Sequence, residues 1–423
     1  MTAAGAQPTV DLDGLARLFT TPGLSGEFAP SSFFRGVTLV WPPVAPTTTA
    51  MPLSHVFAAA VEELCAAATT VGVALSGGLD SLAALVHVLA LRPCRRVVAF
   101  VVDLVDDDGE RTGDGARRLL ADLGLAEQVQ VVVIEPADCT ASSAWSPHGP
   151  RPEAMPAAVA TIAERATEVG VDVLLTGDGA DELLAVPRYA TMQVLRRSGA
   201  LAAGRYFADM AKSGPGIAGE LVSTVSHVLL HRTRVRMYWA ANWPDWSPPK
   251  ASPVLAASRR EQALTWAQQW VDASVQAHVD ANRSWAAADA FDAWWPRNFR
   301  PPAGGVPEAS PFLHPDVVVA ALALSLGDHY GAANKSPYLR AKALVVDLFP
   351  PAMRQVLPKH KRMYRTALGA SVAGTCAAPL ATKIGLLDGQ ALAQENDTAT
   401  LMMVAAVENW LAGAVAAGVT VPS

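Results

Sequence analysis

The sequence predicts an α/β protein in which a parallel sheet is covered by helices and followed by a mainly helical C-terminal region. Apolar runs rich in β-branched residues at 71–75, 97–102, 130–134 and 171–175 alternate with helix-like stretches at 115–125 and 157–169. That alternation is the pattern of a sheet buried on both faces. Two of the runs end in glycine-rich polar turns, at Ser76-Gly77-Gly78 and Thr176-Gly177-Asp178-Gly179. With 423 residues, 51% of them hydrophobic and 17% charged, the chain can bury a large core and has little capacity for long disorder.

Along the chain, residues 1–54 are rich in Thr, Pro and Gly. They read as an arm or small remnant with one strand-like run, Gly36-Val37-Thr38-Leu39-Val40-Trp41. A helix is expected over residues 52–70, with Val56, Ala60, Leu64 and Ala67 on one face. Residues 55–195 then form a nucleotide-binding core, and residues 196–423 a helical region rich in tryptophan, including Trp239, Trp243, Trp246, Trp266, Trp270, Trp285, Trp294 and Trp295. Tryptophan at helical spacing is expected to be packing material between helices. Pro-rich connections are expected at residues 243–253 and 296–307.

The first polar turn carries the chemistry. A strand-like run leads into Ser76-Gly77-Gly78-Leu79-Asp80-Ser81 and then an apolar helix. Two glycines let backbone approach phosphate oxygens, and the helix start presents unpaired N–H groups to an anion. The hydroxyls of Ser76 and Ser81 add donors, which suits the pyrophosphate end of ATP. Asp80 fits such a loop only with a cation between it and the phosphates, so the motif implies Mg²⁺. The second turn, Thr176-Gly177-Asp178-Gly179-Ala180-Asp181-Glu182, places three carboxylates beside two glycines. Carboxylates that close repel unless a cation neutralises them. Both turns lie at the C-terminal ends of strands, where ligands of parallel sheets bind.

Composition excludes other classes. A net charge of −6 argues against nucleic-acid binding through bulk electrostatics. Cys65, Cys94, Cys139 and Cys376 form no C-x-x-C, so structural zinc and a disulfide framework are not expected and a reducing cytoplasm fits. Neither an N-terminal secretion signal nor an uninterrupted apolar span is visible, so no membrane partner is expected. His227 and His231 stand four apart with no third ligand evident, and read as ordinary helix residues.

Together the two turns resemble the synthetase domain of the asparagine synthetase family, within the ATP-pyrophosphatase superfamily. That family includes β-lactam synthetases and lasso-peptide macrolactam cyclases. The similarity continues at Pro311-Phe312-Leu313-His314 and the apolar helix expected at 317–326. It resumes at Asn334-Lys335, Leu339-Arg340, Leu348-Phe349-Pro350 and Lys359-His360-Lys361-Arg362-Met363-Tyr364. The resemblance implies a five-stranded-type parallel sheet of the adenine nucleotide α-hydrolase-like kind. It implies that Asp80 and Asp181 bind Mg²⁺, and that Ser76, Gly77, Gly78 and Ser81, with Gly177 and Gly179 of the second turn, form the ATP and pyrophosphate site. It gives Lys361 the role of contacting the phosphates, with Lys359 as a rival in the same basic cluster. Asp178 stands where asparagine synthetases have an acidic residue and β-lactam synthetases a tyrosine.

The family pattern Glu-x-Arg-x-Pro-Phe is missing. The residues before Pro311 are Pro307-Glu308-Ala309-Ser310, so no family role carries over to them. The stretch ahead of Ser76 is too short for the amidase domain of glutamine-dependent members, so the chain is not expected to make ammonia from glutamine.

The expected chemistry is adenylation of a carboxylate with release of pyrophosphate, then attack by an amine. Asp178 or Glu182 would orient the amine or receive its proton. The substrates expected are a small-molecule or peptide carboxylate and an amine, in the biosynthesis of a peptide or specialised metabolite that includes ring closure. An ammonia-dependent asparagine synthetase is the nearest alternative, and a silent scaffold that binds a biosynthetic partner protein the more distant one.

Overall fold

The computed structural model describes residues 8–25, 32–37, 51–91, 95–213, 217–294, 305–372 and 377–422. Five strands form one sheet: β1 (Thr70–Ala74), β2 (Arg96–Val102), β3 (Gln130–Ile134), β4 (Val173–Leu175) and β5 (Glu308–Ala309). Their order is β3-β2-β1-β4-β5, and every pairing is parallel. The chain builds outward from β1 to β2 and β3 on one side, then crosses to β4 and β5 on the other. The order therefore reverses between β1 and β4, which opens a crevice at their C-terminal ends.

The pleat divides the strand residues between two cores. Val97, Ala99 and Val101 of β2 face the larger core with Val71, Val73 and Leu175. Val98 and Phe100 face the other with Leu174 and Ile134. The helices Leu53–Leu64, Leu79–Ala90, Thr112–Asp122 and Pro315–Leu322 contribute Phe57, Leu82, Leu120 and Val317 to the first core. The Pro156–Val169 helix closes the second face with Ile162 and Ala166. Gly72 sits where this face is tightest, since a Cβ there would stand 3.0–3.2 Å from Val171, Leu174 and Phe100.

Several expected boundaries shift. The helix expected over 52–70 runs from Leu53 to Leu64, after two short helices at Leu12–Arg17 and Thr21–Leu24, and the helix expected over 317–326 stops at Leu322 before a short 3₁₀ turn, Leu326–His329. Of the strand-like run at Gly36-Val37-Thr38-Leu39-Val40-Trp41, Gly36 and Val37 are not strand, and the remainder lies outside the described residues. Phe34 instead makes an isolated bridge to Val10. The connection expected at 296–307 lies mostly outside the described residues and leads directly into β5, too short to betray itself by alternation.

Residues near the two ends share a separate core. Val10, Leu15 and Phe19 pack with Leu401, Val407, Trp410 and Leu411, and Val10 N–H donates to the Thr420 carbonyl at 2.9 Å. The Thr398–Ala416 helix is long and apolar enough to cross a membrane by length and composition, and half of it is buried in the protein. Several tryptophans of the helical region form a fourth core, while Trp294 belongs to the larger sheet core and Trp266 packs on the core near the ends. Trp239, Trp246 and Trp285 pack with Tyr189 and Tyr238, and Trp243 stacks on Trp246 with centroids 4.4 Å apart.

Candidate functional site

The two polar turns meet at the crevice between β1 and β4. Gly77 has φ +78°, a left-handed conformation that suits glycine. The turn is closed internally. The Ser76 and Ser81 hydroxyls lie 3.2 Å apart, Ser81 Oγ accepts from Ser76 N–H at 3.2 Å, and Gly78 N–H points to Ser76 Oγ at 3.4 Å. Ser81 is buried and Ser76 exposed, so the two hydroxyls line the inner and outer walls of one small cradle. The Leu79–Ala90 helix begins immediately after Gly78, directing its free N–H groups into that cradle.

The second turn lies directly against the first. A Cβ on Gly177 would stand 2.8 Å from Ser81 N and 3.0 Å from Asp80 Cβ. Gly179 has φ +85°, and a Cβ there would meet Leu313 Cδ2 at 2.3 Å. The glycines of this turn thus permit close approach, Gly177 to the phosphate-type loop and Gly179 to the Pro311–Leu313 turn. Ser310 secures the turn by donating its hydroxyl to the Asp178 carbonyl at 2.6 Å, and the Asp178 carboxylate accepts from Thr176 Oγ1 at 3.1 Å.

Asp80 and Asp181 converge on one point, and that point holds an ammonium group. Lys342 Nζ lies 2.8 and 2.9 Å from the two oxygens of Asp80 and 2.6 Å from Asp181 Oδ1. Its side chain is only 4% exposed. Lys361 reaches the same cluster from the outside, 3.1 Å from Asp181 Oδ2 and 59% exposed. Lys359, the rival in the basic cluster, is exposed and makes no ion pair among the described residues, so Lys361 is the lysine that the fold delivers to the site. Burial alone would lower the Lys342 pKa, but Asp80 and Asp181 hold it above the usual lysine value. Burial lifts the Asp80 carboxyl above its ordinary range. Burial also acts to raise Asp181, yet Lys342 and Lys361 hold it below.

Asp80 and Asp181 fit a magnesium ion that arrives with substrate phosphates. Magnesium is commonly held by one or two carboxylates with substrate phosphates and waters completing its shell, and Asp80 and Asp181 supply that pair. Among the described residues no group of three His, Cys, Asp or Glu side chains could hold a metal alone. His227 and His231 stand on separate short elements, a 3₁₀ turn and the start of the next helix.

The basic segment after Lys361 straps the site to the far side of the crevice. Arg362 passes the phosphate-type loop, its Cδ 3.9 Å from where a Gly77 Cβ would be, and reaches Asp106 Oδ2 at 3.2 Å. Asp107 N–H donates to the Met363 carbonyl at 2.8 Å, and the Thr112 hydroxyl pairs with Tyr364 Oη at 3.0 Å. Glu182 lines a cavity of about 500 Å³. Leu183, Ala287, Phe291 and Leu322 make its walls largely apolar, with Arg283 and His329 also on the lining. Glu308, in the segment that lacks the family pattern, is turned away into a bidentate pair with Arg151, at 2.9 and 3.0 Å.

A doubly wound parallel sheet with a glycine-serine anion loop at its switch point, facing a carboxylate-bearing second turn, defines an ATP-pyrophosphatase type of domain. The asparagine synthase family profile matches residues 53–326, and the chain belongs to that family, whose members use ATP. Among curated proteins none matches the sequence.

Lys342 is the site residue that sequence reasoning missed. Its one signal is a lysine set in the apolar run Ala343-Leu344-Val345-Val346, where a charge needs a buried partner.

Proposed function

We propose that the protein is an ATP-dependent carbon–nitrogen ligase that joins a carboxylate to an amine through an acyl-adenylate. The observation that carries this reading is the contact between the two turns, which brings Asp80, Asp181 and two lysines to one edge of an anion-binding loop. The substrate carboxylate attacks the α-phosphorus, the bond to the β-phosphate breaks, and pyrophosphate departs. The Ser76–Ser81 cradle and the helix start at Leu79 bind the departing phosphates. Lys361, long and exposed, swings from Asp181 to the phosphate oxygens. A magnesium ion held by Asp80 and Asp181 would offset charge on those oxygens. The amine then attacks the acyl carbon, AMP leaves, and Asp178 or Glu182 accepts the amine proton. Much of the acceleration would come from holding amine and acyl group in line.

The cavity beside Glu182 favours a substrate larger and more apolar than aspartate. A volume of about 500 Å³ lies in the range of pockets for small organic ligands. This supports amide formation in a peptide or other specialised metabolite, macrolactam closure included; a cytoplasmic setting and a biosynthetic partner protein as amine or substrate donor belong to the same proposal. Substrate-dependent pyrophosphate–ATP exchange tests the reading. Exchange driven by a peptide or apolar acid supports it, and exchange driven by aspartate supports an ammonia-dependent asparagine synthetase instead. Absence of exchange together with absence of ATP binding would mean a silent scaffold.

A further inference from the structure

We infer that Lys342 is a resident cation, which holds Asp80 and Asp181 together and makes divalent-metal binding depend on the nucleotide. Four side chains meet at this point, and their charges cancel: two carboxylates, Asp80 and Asp181, against two ammonium groups, Lys342 and Lys361. A cluster with no net charge draws a divalent cation weakly. The two lysines are not equivalent. Lys361 is 59% exposed and hangs from a strap, so phosphate can take it from Asp181. Lys342 is 4% exposed and bonds both carboxylates at once, and removing it would leave two buried or half-buried like charges facing each other. Lys342 therefore stays, and it sets which carboxylate oxygens face the nucleotide. Bound phosphates add negative charge and draw Lys361 away, and the cluster then turns attractive for a divalent ion. Lys342 acts through Asp80 and Asp181 and is a positioning residue.

The inference rests on the ATP-binding reading above, but its first test needs no nucleotide. Mn²⁺ titration of the free protein, followed by electron paramagnetic resonance of the aquated ion, should show weak binding for the wild type. K342Q should bind Mn²⁺ at least ~10-fold more tightly, and K342R should stay weak. Equal Mn²⁺ affinity in wild type and K342Q would overturn the inference. Should K342Q fail to fold, the wild type alone decides: α,β-methylene-ATP should raise its Mn²⁺ affinity at least ~10-fold beyond that of the nucleotide alone in solution, and tight Mn²⁺ binding without nucleotide overturns the proposal. Failure of every folded variant to bind the analogue would instead remove the ligase reading, while the nucleotide-free titration still reports on Lys342.

Discussion

Gly177 touches Ser81: the Cα of one turn stands so close to the backbone of the other that a methyl group at Gly177 would sit 2.8 Å from Ser81 N. This contact is what makes a single site out of two turns far apart in the sequence. G177A should push them apart, at a cost of about 1–3 kcal/mol in stability. ATP affinity should fall at least ~10-fold, because Asp181 would no longer meet Asp80 across Lys342. Isothermal titration with α,β-methylene-ATP, alongside thermal melts, checks this, and unchanged affinity in a folded G177A would show that the contact does not shape the nucleotide site.

D80N and D181N should each lower pyrophosphate–ATP exchange at least ~100-fold while leaving the protein folded. Lys342 keeps one carboxylate in either variant, so the stability loss should stay near that of a single charged hydrogen bond, about 1.5–3 kcal/mol. Exchange rates paired with circular-dichroism melts separate the two effects. Near-normal exchange in either variant contradicts a role for that aspartate at the phosphates.

The strap at Arg362 should govern nucleotide capture. Gly115 leaves room for its guanidinium, since a Cβ there would lie 2.3 Å from Nη2. R362M should raise KM for ATP about 10-fold and cost about 1–3 kcal/mol in stability, because the buried Asp106 loses the partner of its Oδ2. G115A should reproduce the KM effect by evicting the same guanidinium from the other side. Steady-state pyrophosphate release as a function of ATP reads both, and a KM that stays put in R362M would remove the strap from the site.

The sheet was legible in the sequence because each long strand is an apolar run bounded by polar turns, with its polar residue confined to the first position, Thr70, Arg96 or Gln130. Both turns were legible because glycine, serine and aspartate at those spacings have few structural uses. β5 was not, because two residues cannot show an alternation and the strand is defined by its partner β4. Lys342 was not, because its partners are remote: Asp80 precedes it by 262 positions, and no local spacing encodes that meeting. The cavity at Glu182 was equally hidden, since its walls come from separate helices that only packing brings together.

The segment that delivers Lys342 is itself anchored by charge, and this gives a pH signature. Arg340, two residues ahead, grips Asp209 with Nε and Nη2 at 2.7 and 2.8 Å, and Tyr330 donates to the same carboxylate at 2.7 Å. Burial acts to raise the Asp209 carboxyl, but Arg340 and Tyr330 hold it below its ordinary value. A carboxyl whose pKa is depressed by folding contributes stability above its unfolded pKa of about 3.9, and that contribution fades as pH falls through the folded value. D209N should therefore cost on the order of 3 kcal/mol near pH 7, because Arg340 is left half-buried without its partner. The gap between D209N and wild type should stay constant down to about pH 4 and close below it, where wild-type Asp209 is protonated as well. Urea denaturation at a series of pH values measures this, with D209N/R340M as the variant that removes both charges and should recover part of the loss. A gap that did not change with pH would mean that Asp209 supports the segment by packing and not by charge.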